Sequence, residues 1–237
     1  MAKTDYGIDA PNVVRNLFVA GVLSVALGFA ADRIGALRFW GFLVYPGFSW
    51  IAAGFWMLHG SKVRKLAVRD RLLNRVSWRG DEQVLDVGCG LGLLLLGAAK
   101  RIPHGKATGL DLWRTVDQSG NDPKVTRANA VAEGVVDRVA IETGDMTKMP
   151  FGDAAFDVVV SSWAVHNVPS AEGRARALRE IARVLRPGGR VEILDIRALH
   201  YAPTLRAAGL DVHVALDDLI FFIPTWRVSG VKPARGD

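Results

Sequence analysis

QVLDVGCGLG, from Gln83 to Gly92, is the stretch that decides the fold. Its first half, Gln83–Val87, is a short apolar run broken by one acid, Asp86, as in a strand buried on both faces. Its second half puts glycine at 88, 90 and 92, where the backbone can turn tightly and approach a ligand with no Cβ in the way. LLLLGAAKRI follows as an apolar helix ended by Pro103. The alternation then continues. Lys106–Leu110 is a second strand closing on Asp111. Asp122 caps a helix with Pro123 at its first position and Gly134 just past its end. Val139–Glu142 is a third strand leading to Gly144-Asp145-Met146, and Phe156–Ser161 is a fourth. A helix from Ser170 to Leu185 is stopped by Arg186-Pro187-Gly188-Gly189, and Arg190–Ile196 is a fifth strand. Strands alternating with helices predict an α/β domain with a doubly wound, mostly parallel sheet.

Such sheets bind ligands beyond the carboxyl ends of their strands. The glycine spacing is GxGxG, not the GxGxxG of a dinucleotide site, and Asp111 lies 19 residues past Gly92 at a strand end. An acid there can accept both hydroxyls of a ribose. Leu112 and Trp113 could cover an adenine face, and Asp145 could accept from its amino group.

LDVGCGLG, GLDLW, GDMTKMPF, FDVVVSSWAVHNV and RPGGR, spread over roughly residues 80–200, resemble the successive motifs of the class I S-adenosylmethionine-dependent methyltransferases. The resemblance implies a seven-stranded Rossmann-like sheet with a late antiparallel strand. Segments at Leu210–Ala215, Leu219–Pro224 and Trp226–Lys232 fit that. It also implies S-adenosyl-L-methionine as cofactor. Asp86 and the turn Gly88, Cys89, Gly90 and Gly92 would hold the methionine end. Asp111 would hold the ribose, with Leu112 and Trp113 beside it, and Asp145 with Met146 the adenine; Ser161 is counted with the cofactor. In the family the fourth-strand end meets the acceptor, here Ser161-Ser162-Trp163-Ala164-Val165-His166-Asn167. His166 is the candidate base, and Trp163 and Asn167 are candidate acceptor contacts. His200 and Tyr201, after the fifth strand, are further candidates; Glu192 and Asp195 within it are read as structural. The chain departs from the family in an N-terminal apolar segment and in a short stretch after the fifth strand.

Those N-terminal residues carry the unusual part of the composition. The 237-residue chain is 50% hydrophobic with a net charge of +6 and a mean hydropathy of +0.18. Residues 1–80 hold 11 Lys/Arg against 4 Asp/Glu, while residues 81–237 hold 19 against 20. A nucleic-acid-binding domain would carry the basic surface itself, so no nucleic-acid partner is expected. Asn16–Ala31 and Phe39–Leu58 are uncharged, and about 20 apolar residues cross a ~30 Å hydrocarbon core. Two helices, about 12–31 and 39–58, are therefore predicted as a transmembrane hairpin over residues 1–60. Ser61–Gly80, with seven Lys/Arg and one acid, is expected as a basic juxtamembrane amphipathic helix along the membrane surface. The positive-inside rule puts it, and the domain from residue 81 to 237, on the cytoplasmic side of an inner membrane. A buried soluble subdomain and a secretory leader are the competing readings of the apolar runs; Asp5 and Asp9 argue against the leader.

A single cysteine, Cys89, allows no intrachain disulfide, and no His/Cys/Asp/Glu grouping has metal-ligand spacing. Asp117–Asp122 is expected as a solvated polar loop above the cofactor edge. Membrane tethering points to a lipophilic acceptor: an isoprenoid quinone or its precursor, another lipid, or a hydrophobic thiol or phenol. Methylation of a protein or RNA, and nicotinamide-dependent redox chemistry, stay open as alternatives. Oligomeric state is not encoded in any pattern here.

Overall fold

The computed structural model describes residues 4–35, 40–114, 118–219 and 223–234. Among them three helices precede the sheet: α1 (Pro11–Arg33), α2 (Gly41–His59) and α3 (Lys65–Leu73). The strands are β1 (Gln83–Val87), β2 (Lys106–Asp111), β3 (Val139–Thr143), β4 (Phe156–Ser162), β5 (Leu185–Asp195), β6 (Asp211–Asp218) and β7 (Thr225–Val231). Helices α4 (Leu93–Ala99), α5 (Pro123–Ala132), α6 (Ala171–Val184) and α7 (Ala202–Ala207) connect them.

The strand order is β3-β2-β1-β4-β5-β7-β6, with β1 to β5 parallel and β7 antiparallel to both its neighbours. The chain winds outward from β1 to β3, then crosses back to β4, so the direction of winding reverses between β1 and β4. A crevice opens at their carboxyl ends. Four of the five β1 residues are buried because helices cover both faces. The caps form as the sequence predicts: the Asp122 carboxylate accepts from Lys124 N at 2.7 Å, and Ser170 Oγ accepts from Gly173 N at 2.9 Å.

Three elements differ from expectation. β5 begins at Leu185, not Arg190, because Leu185 pairs with Phe156 before the register shifts at the Pro-Gly-Gly turn. The short helix α7 was not foreseen; its six residues are too few for periodicity to show. The basic helix expected over 61–80 occupies Lys65–Leu73. Its apolar side chains Val68, Leu72 and Leu73 are buried in the core of the domain, so they are not offered to a membrane surface. Of the segment Leu219–Pro224, residues 220–222 lie outside the described residues.

α1 and α2 pack side by side through glycine. A Cβ on Gly21 would come within 2.8 Å of Gly47 O, and a Cβ on Gly47 within 2.9 Å of Gly21 O, so both positions demand the smallest residue. Ser24 Oγ ties the pair further, donating to Leu43 O at 2.7 Å. Both helices are long and apolar enough to cross a membrane. In their most apolar windows only 22% and 17% of residues are buried. A π-helical turn, Gly60–Arg64, carries α2 directly into α3. The base of the hairpin is thereby fused to the domain: Val14 and Met57 belong to the same buried cluster as Leu72, Leu73, Leu94 and Leu95.

Candidate active site

The glycine turn is held from both sides. Gly88 N donates to Leu110 O at 2.8 Å, closing β1 against β2, and a Cβ at Gly88 would overlap the side chain of Ala164 from the loop after β4. Gly88 has φ +73°, a second reason why no side chain fits. Asp111, at the end of β2, accepts from Gly90 N at 2.8 Å, Trp113 N at 2.7 Å and Asn121 Nδ2 at 3.2 Å. A carboxylate can accept about four hydrogen bonds, so this one is firmly oriented yet keeps acceptor capacity. Asp86, buried beneath the turn, accepts from Leu95 N at 2.8 Å. Burial, with the Asp111 charge nearby, pushes its carboxyl up to about 8. Burial likewise pushes the Cys89 thiol up, which makes it a poor nucleophile.

A cavity of about 710 Å³ opens over these residues, within the roughly 300–1,000 Å³ range of small-molecule sites. Asp86, Gly88, Cys89, Gly90, Asp111 and Leu112 line it at the β1 and β2 ends, and Asp145 and Met146 after β3. Trp163, His166 and Asn167 line it after β4. Five of the expected site residues lie elsewhere. Gly92, at φ +89°, is the N-cap of α4 behind the turn. Ser161 is fully buried and donates from Oγ to Val87 O at 2.7 Å, tying β4 to β1; Ser162 takes its place on the cavity. Trp113 directs its indole N–H to Thr143 Oγ1 at 2.8 Å. His200 and Tyr201 border a separate depression between α6 and α7. Burial and the neighbouring Asp195 carboxylate push the Tyr201 phenol up, so it stays protonated.

The largest addition is Asp195, read from the sequence as a structural strand residue. Its buried carboxylate accepts from His166 N at 3.2 Å and lies 3.0 Å from His166 Nδ1. A carboxylate can only accept, so the contact fixes the ring proton on Nδ1 and leaves Nε2 as the basic nitrogen. Trp163 packs edge-on against that ring, centroids 5.9 Å apart. Trp163 and Trp113 both hold positive φ, +52° and +60°, at the ends of β4 and β2. Bulky residues rarely adopt that conformation, and such strain gathers at functional sites.

Asn121 and Gln118 were also missed as individuals, although their loop was singled out. Gln118 Oε1 accepts from Leu91 N at 3.2 Å and its Nε2 donates to Tyr6 O at 3.1 Å, so this part of the loop is built into the site instead of being a loose solvated cover. Asp117 lies outside the described residues. Among the described residues no three His, Cys, Asp or Glu side chains are grouped to hold a metal ion.

A family model described as a methyltransferase domain matches residues 85–193. The 27-O-demethylrifamycin SV methyltransferase of Amycolatopsis mediterranei is 32% identical over 197 residues, covering 78% of this chain and 67% of that protein. The demethylmenaquinone methyltransferase of Symbiobacterium thermophilum is 39% identical over 119 residues, 50% of this chain and 44% of its own. The chain spans about half or less of the length of most such relatives. Among solved structures, the geranyl diphosphate C-methyltransferase of Streptomyces coelicolor, in complex with Mg2+, geranyl diphosphate and S-adenosyl-L-homocysteine, has the same fold. Its TM-score is 0.60 at 15% identity over 74% of this chain and 82% of that one.

Proposed function

The chain belongs to the class I S-adenosylmethionine-dependent methyltransferases, and on that footing we propose that it is a membrane-anchored enzyme methylating a lipophilic small molecule. The observation that carries this reading is the outward face of the hairpin. Val22, Leu23, Leu27, Phe42, Tyr45 and Phe55 are all exposed on helices of membrane-spanning length. A helix in a soluble core would bury such side chains, and an apolar surface this continuous is unstable in water. Lys62, Arg64, Arg69 and Arg71 follow the second helix, supporting a cytoplasmic catalytic domain. The relative named for demethylmenaquinone supports a quinone-type acceptor; a phenol, a hydrophobic thiol and another lipid are the other acceptors this reading admits.

S-adenosylmethionine, when bound, would supply a sulfonium methyl for in-line displacement by the acceptor, with the thioether as leaving group. The cradle suits it: a turn where a Cβ would collide, with carboxyl groups at Asp86 and Asp111. Those residues and Asp145 with Met146 would hold it. The chain's task is then alignment and, for acceptors of high pKa, proton removal. His166 Nε2 takes the acceptor proton, and Asp195 keeps the ring in the tautomer that can do so.

The test is methyl transfer from labelled cofactor by the full chain in lipid vesicles, against quinols, phenols and thiols. Transfer to at least one lipophilic acceptor is expected. His166→Asn should lower kcat by about 10²-fold or more for a phenol-type acceptor and much less for a thiol, whose pKa is near 8.5. Asp195→Asn should act in the same direction. Label going only to protein would reject the small-molecule reading, and equal losses for phenol and thiol would reject His166 as base.

A further inference from the structure

The cavity that holds the cofactor cradle does not end at the catalytic domain. Val13, on the first turn of α1, and Met57, on the last turn of α2, line the same space as Gly88, Asp111 and His166. The linings differ in character along its length. Ser162, His166 and Asn167 supply polar groups at the strand ends, whereas Ala10, Val13, Met57, Val68 and Leu72 supply apolar side chains to the wall on the hairpin side, with Asp9, Lys65 and Arg69 among them.

That wall is fixed in place. The segment before α1 is bonded to the domain at several points. Asp5 N donates to Asn129 Oδ1 at 3.1 Å, Ile8 N to Ser119 Oγ at 2.9 Å, and Asp9 N to Ser61 Oγ at 3.1 Å. Lys65 reaches back to donate to Tyr6 O at 2.6 Å. Val14 and Met57 are buried with residues of α3 and α4. The hairpin therefore meets the site as part of it, not through a tether.

The wall also sits at a definite depth. Val13 precedes Arg15 and Met57 precedes His59 by two residues each, and the helices are uncharged over residues 16–31 and 41–58, about four and five turns. With those uncharged runs in the hydrocarbon, as the proposed anchoring has it, Val13 and Met57 come at the level of the lipid headgroups; Val13 is half exposed.

We infer that the base of the hairpin is the outer wall of the acceptor pocket, and that the acceptor is an amphiphile methylated while its apolar tail stays in the leaflet. This rests on the methyltransferase reading above and narrows it: the tail is a recognition element, held against Val13 and Met57 while the polar ring or head reaches His166. A tail left in the bilayer also raises the local concentration of the head at the site, as a second binding contact would.

The experiment uses the full chain in phosphatidylcholine/phosphatidylglycerol vesicles and two quinol probes with the same ring, one bearing an isoprenoid tail and one a methyl group in its place. Val13→Trp and Met57→Trp fill the wall; Leu27→Trp, at an exposed position far up the hairpin, is the control. The ratio of kcat/KM for tailed over tailless probe should fall about tenfold in each wall variant and hold in the control, with cofactor affinity by calorimetry unaltered. An unchanged ratio in both wall variants overturns the inference. A tailed probe carrying a diazirine on its tail gives a readout independent of turnover. Photolabelling within the first turn of α1 or the last turn of α2 supports the wall even if neither quinol is methylated, in which case only the quinone-type choice of acceptor fails. Labelling confined to the outer faces of α1 and α2 overturns it.

Discussion

Asp86 and Asp111 are two carboxylates a few residues apart in space with different tasks, and their surroundings separate them. Asp111 receives three N–H donors; Asp86 receives one and is buried, so it retains its proton up to about pH 8. Between about pH 4 and 8 the folded free protein binds a proton there that the unfolded chain, with a carboxyl near 3.8, does not. Through this group, stability falls as pH rises across that window. A cationic α-amino group placed against Asp86 reverses the preference. Cofactor binding at pH 7 should therefore release up to one proton, read by calorimetry as an apparent enthalpy that differs between phosphate and Tris buffers. Equal enthalpies in the two would place the ammonium elsewhere. The glycine turn and Asp111 were legible in the sequence because a strand, a turn and a strand end position them locally. Asp195 was not: its contact with His166 depends on the β4–β5 register, which pairs Ser161 with Ile193 and Ser162 with Leu194, and no local pattern encodes that. Ser161 and Trp113 lie off the cavity for the same reason, since whether a strand-end side chain faces the cavity or its neighbour strand is decided by pairing.

At the scale of elements, alternation and caps made β1 to β4 and the helices α5 and α6 readable to within a residue or two, because each carries its own start or stop signal. Helix α4 instead ends at Ala99, three residues short of the expected stop before Pro103. The surface against which an amphipathic helix lays its apolar side is not a local property. Lys65–Leu73 carries the basic side expected of a membrane-surface helix, yet Val68, Leu72 and Leu73 pack inward. Arg71 instead pairs with Asp217 and Asp218 of β6 at 2.8 and 2.7 Å. The hairpin depends on a different element-level feature, the reciprocal approach of Gly21 and Gly47. With lipid as apolar as leucine, close packing is what holds such helices together. Gly47→Leu should separate them at a cost of about 1–3 kcal/mol, seen as earlier unfolding in a denaturant titration of the full chain in detergent micelles. Leu27→Ala, at an exposed position, should change stability by less than about 0.5 kcal/mol. Equal effects would mean the glycine seam is not the packing surface.

The whole molecule joins two halves that composition shows as separate: a basic, apolar first third and a near-neutral α/β domain. The structure joins them through one buried cluster, in which Tyr6, Val14 and Met57 share a core with Leu72, Leu94 and Leu95. Removing residues 1–60 would strip side chains from that core as well as the hairpin, so the domain is not expected to survive simple truncation intact. The sequence shows both halves but not their union, because the contacts run between residues from 15 to almost 90 positions apart that no local pattern links. Carbonate-washed membranes from cells making the full chain, supplied with methyl-labelled S-adenosylmethionine, test this account most directly. Label should pass into organic-extractable material in those membranes and not in membranes carrying Asp111→Ala. Methyl-transfer activity washed into the carbonate supernatant, or label confined to protein or aqueous products, would contradict it.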